Sequence, residues 1–176
     1  NGDGQGSFCT VCFDDGLKDG FEYVLPILCE EKIKATYFIP ASPVIEKKVL
    51  SVQKMHLLAG TLGFTRFKET FMQALRLKGE KVKPICLEEY GIEQIYKYDT
   101  PEVAQFKLFL HFELPAALRD SVLDDLFFTL FGDETSMTDV LYLSAKEIEI
   151  LATHGMEIGS HFHTHAIMSL LSAQEQ

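Results

Sequence analysis

Basic side chains are scarce in this sequence. Its 16 Lys and Arg stand against 26 Asp and Glu, for a formal charge of −10. A protein that grips a phosphate backbone concentrates Lys and Arg in a patch, so no nucleic-acid partner is expected. Long apolar runs are also missing. None reaches the roughly 18 residues that a bilayer-crossing helix requires, so no membrane span is expected. No basic stretch leads into an apolar one, so no secretion signal is visible and the reading leans towards a cytoplasmic protein. The first residue is Asn1 rather than Met, and the natural N-terminus is expected upstream of it.

Cysteine is sparse, at four residues: Cys9, Cys12, Cys29 and Cys86. Cys9 and Cys12 have the C-x-x-C spacing of zinc and redox sites. The stretch "SFCTVCF" reads as a strand, however, and residues three apart on a strand point to opposite faces. No second C-x-x-C follows. The four are therefore expected to be small buried residues, and nothing calls for an oxidising compartment.

What is present is a hydrophobic fraction of 47%, enough for a sizeable core in one domain or most of one. Residues 7–13 read as a buried strand. Residues 21–31 read as a helix with Tyr23, Val24, Ile27 and Leu28 on one stripe and Pro26 in a first turn. "IKATYFIP" at 33–40 reads as a second buried strand. Strand, helix, strand with short joints implies a βα repeat and parallel pairing. From 44 to 143 the pattern becomes helical, with apolar residues three to four apart. Thr100 and Pro101 form a cap and a first-position proline. Gly132 stops a helix that starts near Pro115. The Phe-rich faces here ("FTRFKETF", "FKLFLHF", "FFTLF") are expected to be core, with a lid or a homo-oligomer contact as the other reading. The βα rhythm resumes at the capping box Ser144–Glu147. Its helix ends at Gly155, and "MEIGSH" is a third strand. Ser172 and Glu175 have capping-box spacing too. A helix opening at the last residues, with only three parallel strands, leads us to expect further βα units beyond Gln176.

The chemistry-bearing residues cluster at two strand ends. Asp14 and Asp15 follow strand one, and "HFHTH" follows strand three. The C-terminal ends of strands are where βα folds build their sites. His161 and His165, four apart, can aim at one point. Two imidazoles and a carboxylate make a three-ligand zinc set with one position left for water. One aspartate would then be a ligand, and its neighbour would take a proton from the activated water. Alone, "DDG" is an ordinary solvated turn and H-x-x-x-H is common; it is their placement at matching strand ends that carries weight. His163 should point elsewhere or sit behind the ligands. His56, His111 and His154 read as helix-face residues.

"FDDG" followed by "GSHFHTH" resembles the polysaccharide deacetylases, the NodB-homology carbohydrate esterases of family four. Their first motif is usually T-F-D-D-G, with Cys12 here in place of the threonine. Their second is H-[ST]-x-x-H, with Phe162 here at the [ST] position. "KATYFIP" and "IMSLLS" are also similar to family segments. The likeness covers 7–43 and 144–176, and the middle is similar to members carrying a helical insertion. It implies an α/β fold, a distorted (β/α) barrel of which residues 1–176 form part, with the insertion at 44–143. It also implies that Asp14 is the general base and that Asp15, His161 and His165 hold a divalent metal, Zn²⁺ in the first instance. A metal-bound water would attack an N-acetyl group on an amino sugar of a glycan and release acetate. The family's arginine motif, tryptophan-containing acidic motif and late Leu-x-His do not occur here, and the sequence has no tryptophan. Two other functions compete with this one. A haloacid-dehalogenase-type phosphate-ester hydrolase needs Asp-x-Asp, which the adjacent pair does not supply. A non-catalytic glycan-binding module would not need a base beside three ligands.

Overall fold

The computed structural model describes residues 9–79 and 96–174. They form two compact units, one built from Asn1–Leu50 with Asp133–Gln176 and the other from Ser51–Gly132. The helical unit is thus narrower than the expected 44–143, and the residues on either side of it belong to the strand-bearing unit. Cys86 and Glu175, and with Glu175 the second capping box, lie outside the described residues. No described helix is long and apolar enough to cross a membrane.

The strand-bearing unit contains β1 (Val11–Phe13), α1 (Leu25–Glu30), β2 (Ala35–Ile39) and α2 (Ala41–Ile45). After the helical unit it continues with α7 (Glu134–Leu141), α8 (Ala145–Thr153) and β3 (Glu157–Ser160). Both strand pairings are parallel, in the order β1-β2-β3, as the βα rhythm implied. Among the described residues the sheet is open and no barrel closes. The register sets Phe13 beside Tyr37 and Ile39 beside Ser160. Asp14, Pro40 and His161, the next residues on each strand, therefore emerge at the same end.

One face of the sheet is packed. Val11, Phe13, Tyr37 and Ile39 meet Leu25, Leu28, Leu143, Leu151 and Met156. The Phe13 and Tyr37 rings stack with centroids 4.9 Å apart, and the Tyr37 hydroxyl donates to the Gly20 carbonyl at 2.9 Å. The other face carries Cys12, Thr36, Phe38 and Gly159. The Phe38 ring lies where a Gly159 side chain would be, since an added Cβ would sit 2.5 Å from it.

Two expectations are corrected here. Cys9, Cys12 and Cys29 are free and exposed rather than buried: Cys12 is on the less covered sheet face, and Cys29 is on the outside of α1. The stripe on the first helix is also displaced. Residues Gly20–Val24 form a π-helical turn ahead of α1, which adds a residue to that turn and rotates the face. Leu25 and Leu28 are buried, while Tyr23 and Ile27 are 69% and 59% exposed. Pro26 does fall at the start of α1, directly after the π turn.

The helical unit contains α3 (Ser51–Leu62), α4 (Phe64–Leu77), α5 (Pro101–Leu108) and α6 (Ala116–Phe131). Thr100 caps α5 through a bond from Val103 N–H, and Gly132, at φ 76°, ends α6. Phe67, Phe71, Phe106 and Phe109 join Leu58, Leu75, Leu110, Val122 and Leu123 in its core. Edge-on contacts at 5.8 Å link Phe106 to both Phe67 and Phe71, the geometry favoured by the ring quadrupole. Most of the Phe-rich stretches are therefore core, although Phe128 is 69% exposed.

Candidate metal centre

The turn after β1 is built around unusual backbone. Asp15 and Gly16 both have positive φ, at 66° and 62°. Aspartate tolerates that region because its short side chain can bond locally. Gly16 is required for space as well, since an added Cβ would lie 3.1 Å from the Ile39 side chain. Across from this turn, the segment 141–143 runs antiparallel to it. Lys18 N–H donates to Leu141 O at 2.8 Å and Leu143 N–H to Gly16 O at 2.9 Å, either side of a Leu17–Tyr142 bridge.

The loop after β3 is anchored to β2 and α2. His161 N–H donates to Ile39 O, extending the ladder by one residue. The carbonyls of Phe162 and His163 then accept from Ala41 N–H and Ser42 N–H, two of the first amides of α2 that have no partner within the helix. Phe162 and His165 take positive φ values of 61° and 60°. For residues other than Gly, Asn or Asp such a conformation costs about 1–3 kcal/mol, and such strain clusters at working sites. Three of the five non-glycine residues with positive φ among the described residues belong to these two loops.

The loops bring Asp15, His161 and His165 together, with their potential ligand atoms all within 4.8 Å of one another. Asp15 Oδ1 is shut off from solvent and stands 3.5 Å from His161 Nε2 and 3.3 Å from His165 Nε2. The imidazole centroids are 4.7 Å apart. A charge-assisted hydrogen bond would close to about 2.7–2.9 Å. Ligands on a tetrahedral ion with bonds of about 2.0–2.1 Å instead stand roughly 3.3–3.4 Å apart. The observed spacing suits the second arrangement, and one carboxylate with two imidazoles is a donor set for a zinc-like ion with an open position. Among the described residues this is the one such grouping; His56, His111 and His154 take no part in it. All three residues belong to the strand-bearing unit.

Asp14 sits next to the cluster but is exposed. His163 turns away, with its Nε2 2.6 Å from Glu46 Oε1. That bond, with a second from Lys48, holds the Glu46 carboxyl below the usual carboxylate range. Sequence reasoning did not single out Tyr142 or Glu46. Tyr142 is 2% exposed, and burial pushes its phenol well above the usual range. The N–H of Leu50 pulls the other way, while the charges of Asp15 and then Glu134 add to the rise.

A scan against protein-family models, a search of curated proteins and a search of solved structures return no match for the chain.

Proposed function

We propose that the chain is a metal-dependent hydrolase that removes N-acetyl groups from an amino sugar of a glycan or glycan precursor. Asp15, His161 and His165 would hold a divalent ion, Zn²⁺ in the first instance, and Asp14 would be the general base. The observation behind this reading is the convergence of Asp15 with the two histidines at ligand-to-ligand distance, next to an exposed second carboxylate. The motif likeness to polysaccharide deacetylases supplies the substrate class.

A bound ion would supply Lewis-acid activation of the acetyl carbonyl and of the attacking water. Asp15 contributes the one negative charge among the three donors, and the two histidines contribute neutral nitrogens. Asp14, fixed beside Asp15 by the chain itself, takes the proton of the attacking water. The water oxygen bonds to the acetyl carbon, the proton held by Asp14 passes to the nitrogen as the carbon–nitrogen bond breaks, and the remaining hydroxyl proton follows it to the amine, so that acetate and a protonated amine leave.

The test is acetate release and new free amine from an N-acetylated chito-oligosaccharide with Zn²⁺ present. Asp14→Asn should keep metal binding and lower turnover by about 10²–10⁴-fold, the usual range for lost acid–base catalysis. Phosphate release from a phosphomonoester without acetate release would favour a phosphate-ester hydrolase. Glycan binding with neither product would favour a non-catalytic module.

A further inference from the structure

The loop that carries both proposed histidine ligands carries a third histidine between them. In an extended chain, side chains two apart share a face, so His161, His163 and His165 would all point one way. The loop departs from that pattern. His161 and His165 face Asp15, while His163 faces the far end of α2, with its Nε2 2.6 Å from Glu46 Oε1. An ionised carboxylate only accepts, so that nitrogen carries the hydrogen and has no lone pair to give a metal. Glu46 is itself held in place. Its N–H, one residue past α2, donates to Ser42 O at 2.9 Å, and Lys48 Nζ stands 3.2 Å from its other carboxylate oxygen. The bonds from Ala41 and Ser42 fix the backbone of the loop but leave the His163 side chain its two torsions. Glu46 settles them.

We infer that Glu46 is a positioning residue that keeps the fourth position of the metal centre open, by holding His163 out of it. This rests on the metal reading above. Asp15 and two histidines fill three positions of a tetrahedral ion, and an open fourth is what separates a catalytic site from a structural one. His163 is two residues from either histidine, so once released its imidazole is at high local concentration. It would close the site as a fourth ligand. Both side chains of the pair are exposed, and an exposed pair adds little to stability. That suits a role in placement rather than in folding.

The experiment is a Zn²⁺ titration of the whole chain labelled with ¹⁵N-histidine. NMR reads which imidazole nitrogens take the metal, and competition with a chromogenic chelator reads the affinity. In the wild type, His161 and His165 should shift as ligands and His163 should not. In Glu46→Ala all three should shift as ligands, and Zn²⁺ should bind about 10-fold or more tighter, the scale on which one partner moves a metal site. Damage to the loop would weaken binding instead, so the sign separates placement from support. Glu46→Ala combined with His163→Ala should return to two shifted imidazoles and to the wild-type affinity. Binding no tighter in Glu46→Ala than in the wild type, or tightening that survives in the double variant, would overturn the inference and leave the metal reading intact. So would a wild type in which His163 shifts as a ligand. A wild-type chain that binds no Zn²⁺ would overturn both.

Discussion

Replacing Asp15 by Asn keeps the side-chain shape and removes the one negative charge among the three proposed ligands. The effect can be sized through linkage. With free Zn²⁺ at 100 times its dissociation constant, binding stabilises the folded state by about 2.7 kcal/mol. A unit of this size gains about 4–8 °C in Tm per kcal/mol, so the strand-bearing unit should melt roughly 11–22 °C higher with zinc than without. Losing a supporting partner alone can weaken a metal site by about 100-fold, and losing a charged ligand should do at least that much. Zinc is then at or below its new dissociation constant. The remaining stabilisation is at most about 0.4 kcal/mol, a shift of about 2–3 °C. Differential scanning calorimetry of both proteins, metal-free and at one fixed zinc concentration, reads this directly. If Asp15→Asn kept more than half of the zinc-induced shift, Asp15 would not be a ligand. If Asp14→Asn lost the shift and Asp15→Asn kept it, the two roles would be reversed.

Phe71 is fully buried between Phe67 and Phe106. Phe71→Ala should cost the helical unit about 3–5 kcal/mol, visible as an earlier helical transition by circular dichroism. Ser144 accepts from Glu147 N–H while Glu147 bonds back to Ser144 N–H at 2.7 Å. Ser144→Ala should therefore destabilise the strand-bearing unit by about 1 kcal/mol in urea. Glu46, held low by His163 and then Lys48, contributes stability above the ordinary carboxylate pKa of about 4.3 and loses it as pH falls through its lower folded value. In an NMR titration its midpoint should move up in His163→Gln; an unmoved midpoint would mean that the pair does not form in solution.

The sequence carried the strand ends well. "VCF", "ATYFI" and "EIGS" are short β-rich runs bounded by turn residues, and parallel pairing follows from the helices between them. The carboxylate and the two histidines could be grouped because Asp15 lies two residues past β1, and His161 and His165 lie one and five residues past β3. The caps at Thr100 and Ser144 were legible because capping is a local bond. Non-local features left no such trace. A single bridge between Leu17 and Tyr142 has no period to detect, so the strap over the aspartate turn went unseen. With the π turn before α1, Leu25 joins the expected Leu28 in the core while Tyr23 and Ile27 turn outward, which a regular 3.6-residue period cannot anticipate. The cysteines were placed by residue type, yet their exposure depends on which sheet face is covered.

The bonds from Val49 N–H to Glu134 and from Leu50 N–H to Tyr142 have a bearing on how this chain can change. They tie the residues just before the helical unit to residues just after it. The chain thus leaves the sheet and returns to it through one doorway. A segment attached in this way is a long loop to its host, and doubling a flexible loop costs only about 0.6 kcal/mol of closure entropy. What hangs from the doorway can be lengthened, exchanged or trimmed as a cassette, while the strand register that lines up Asp14, Asp15 and His161 is inherited unchanged.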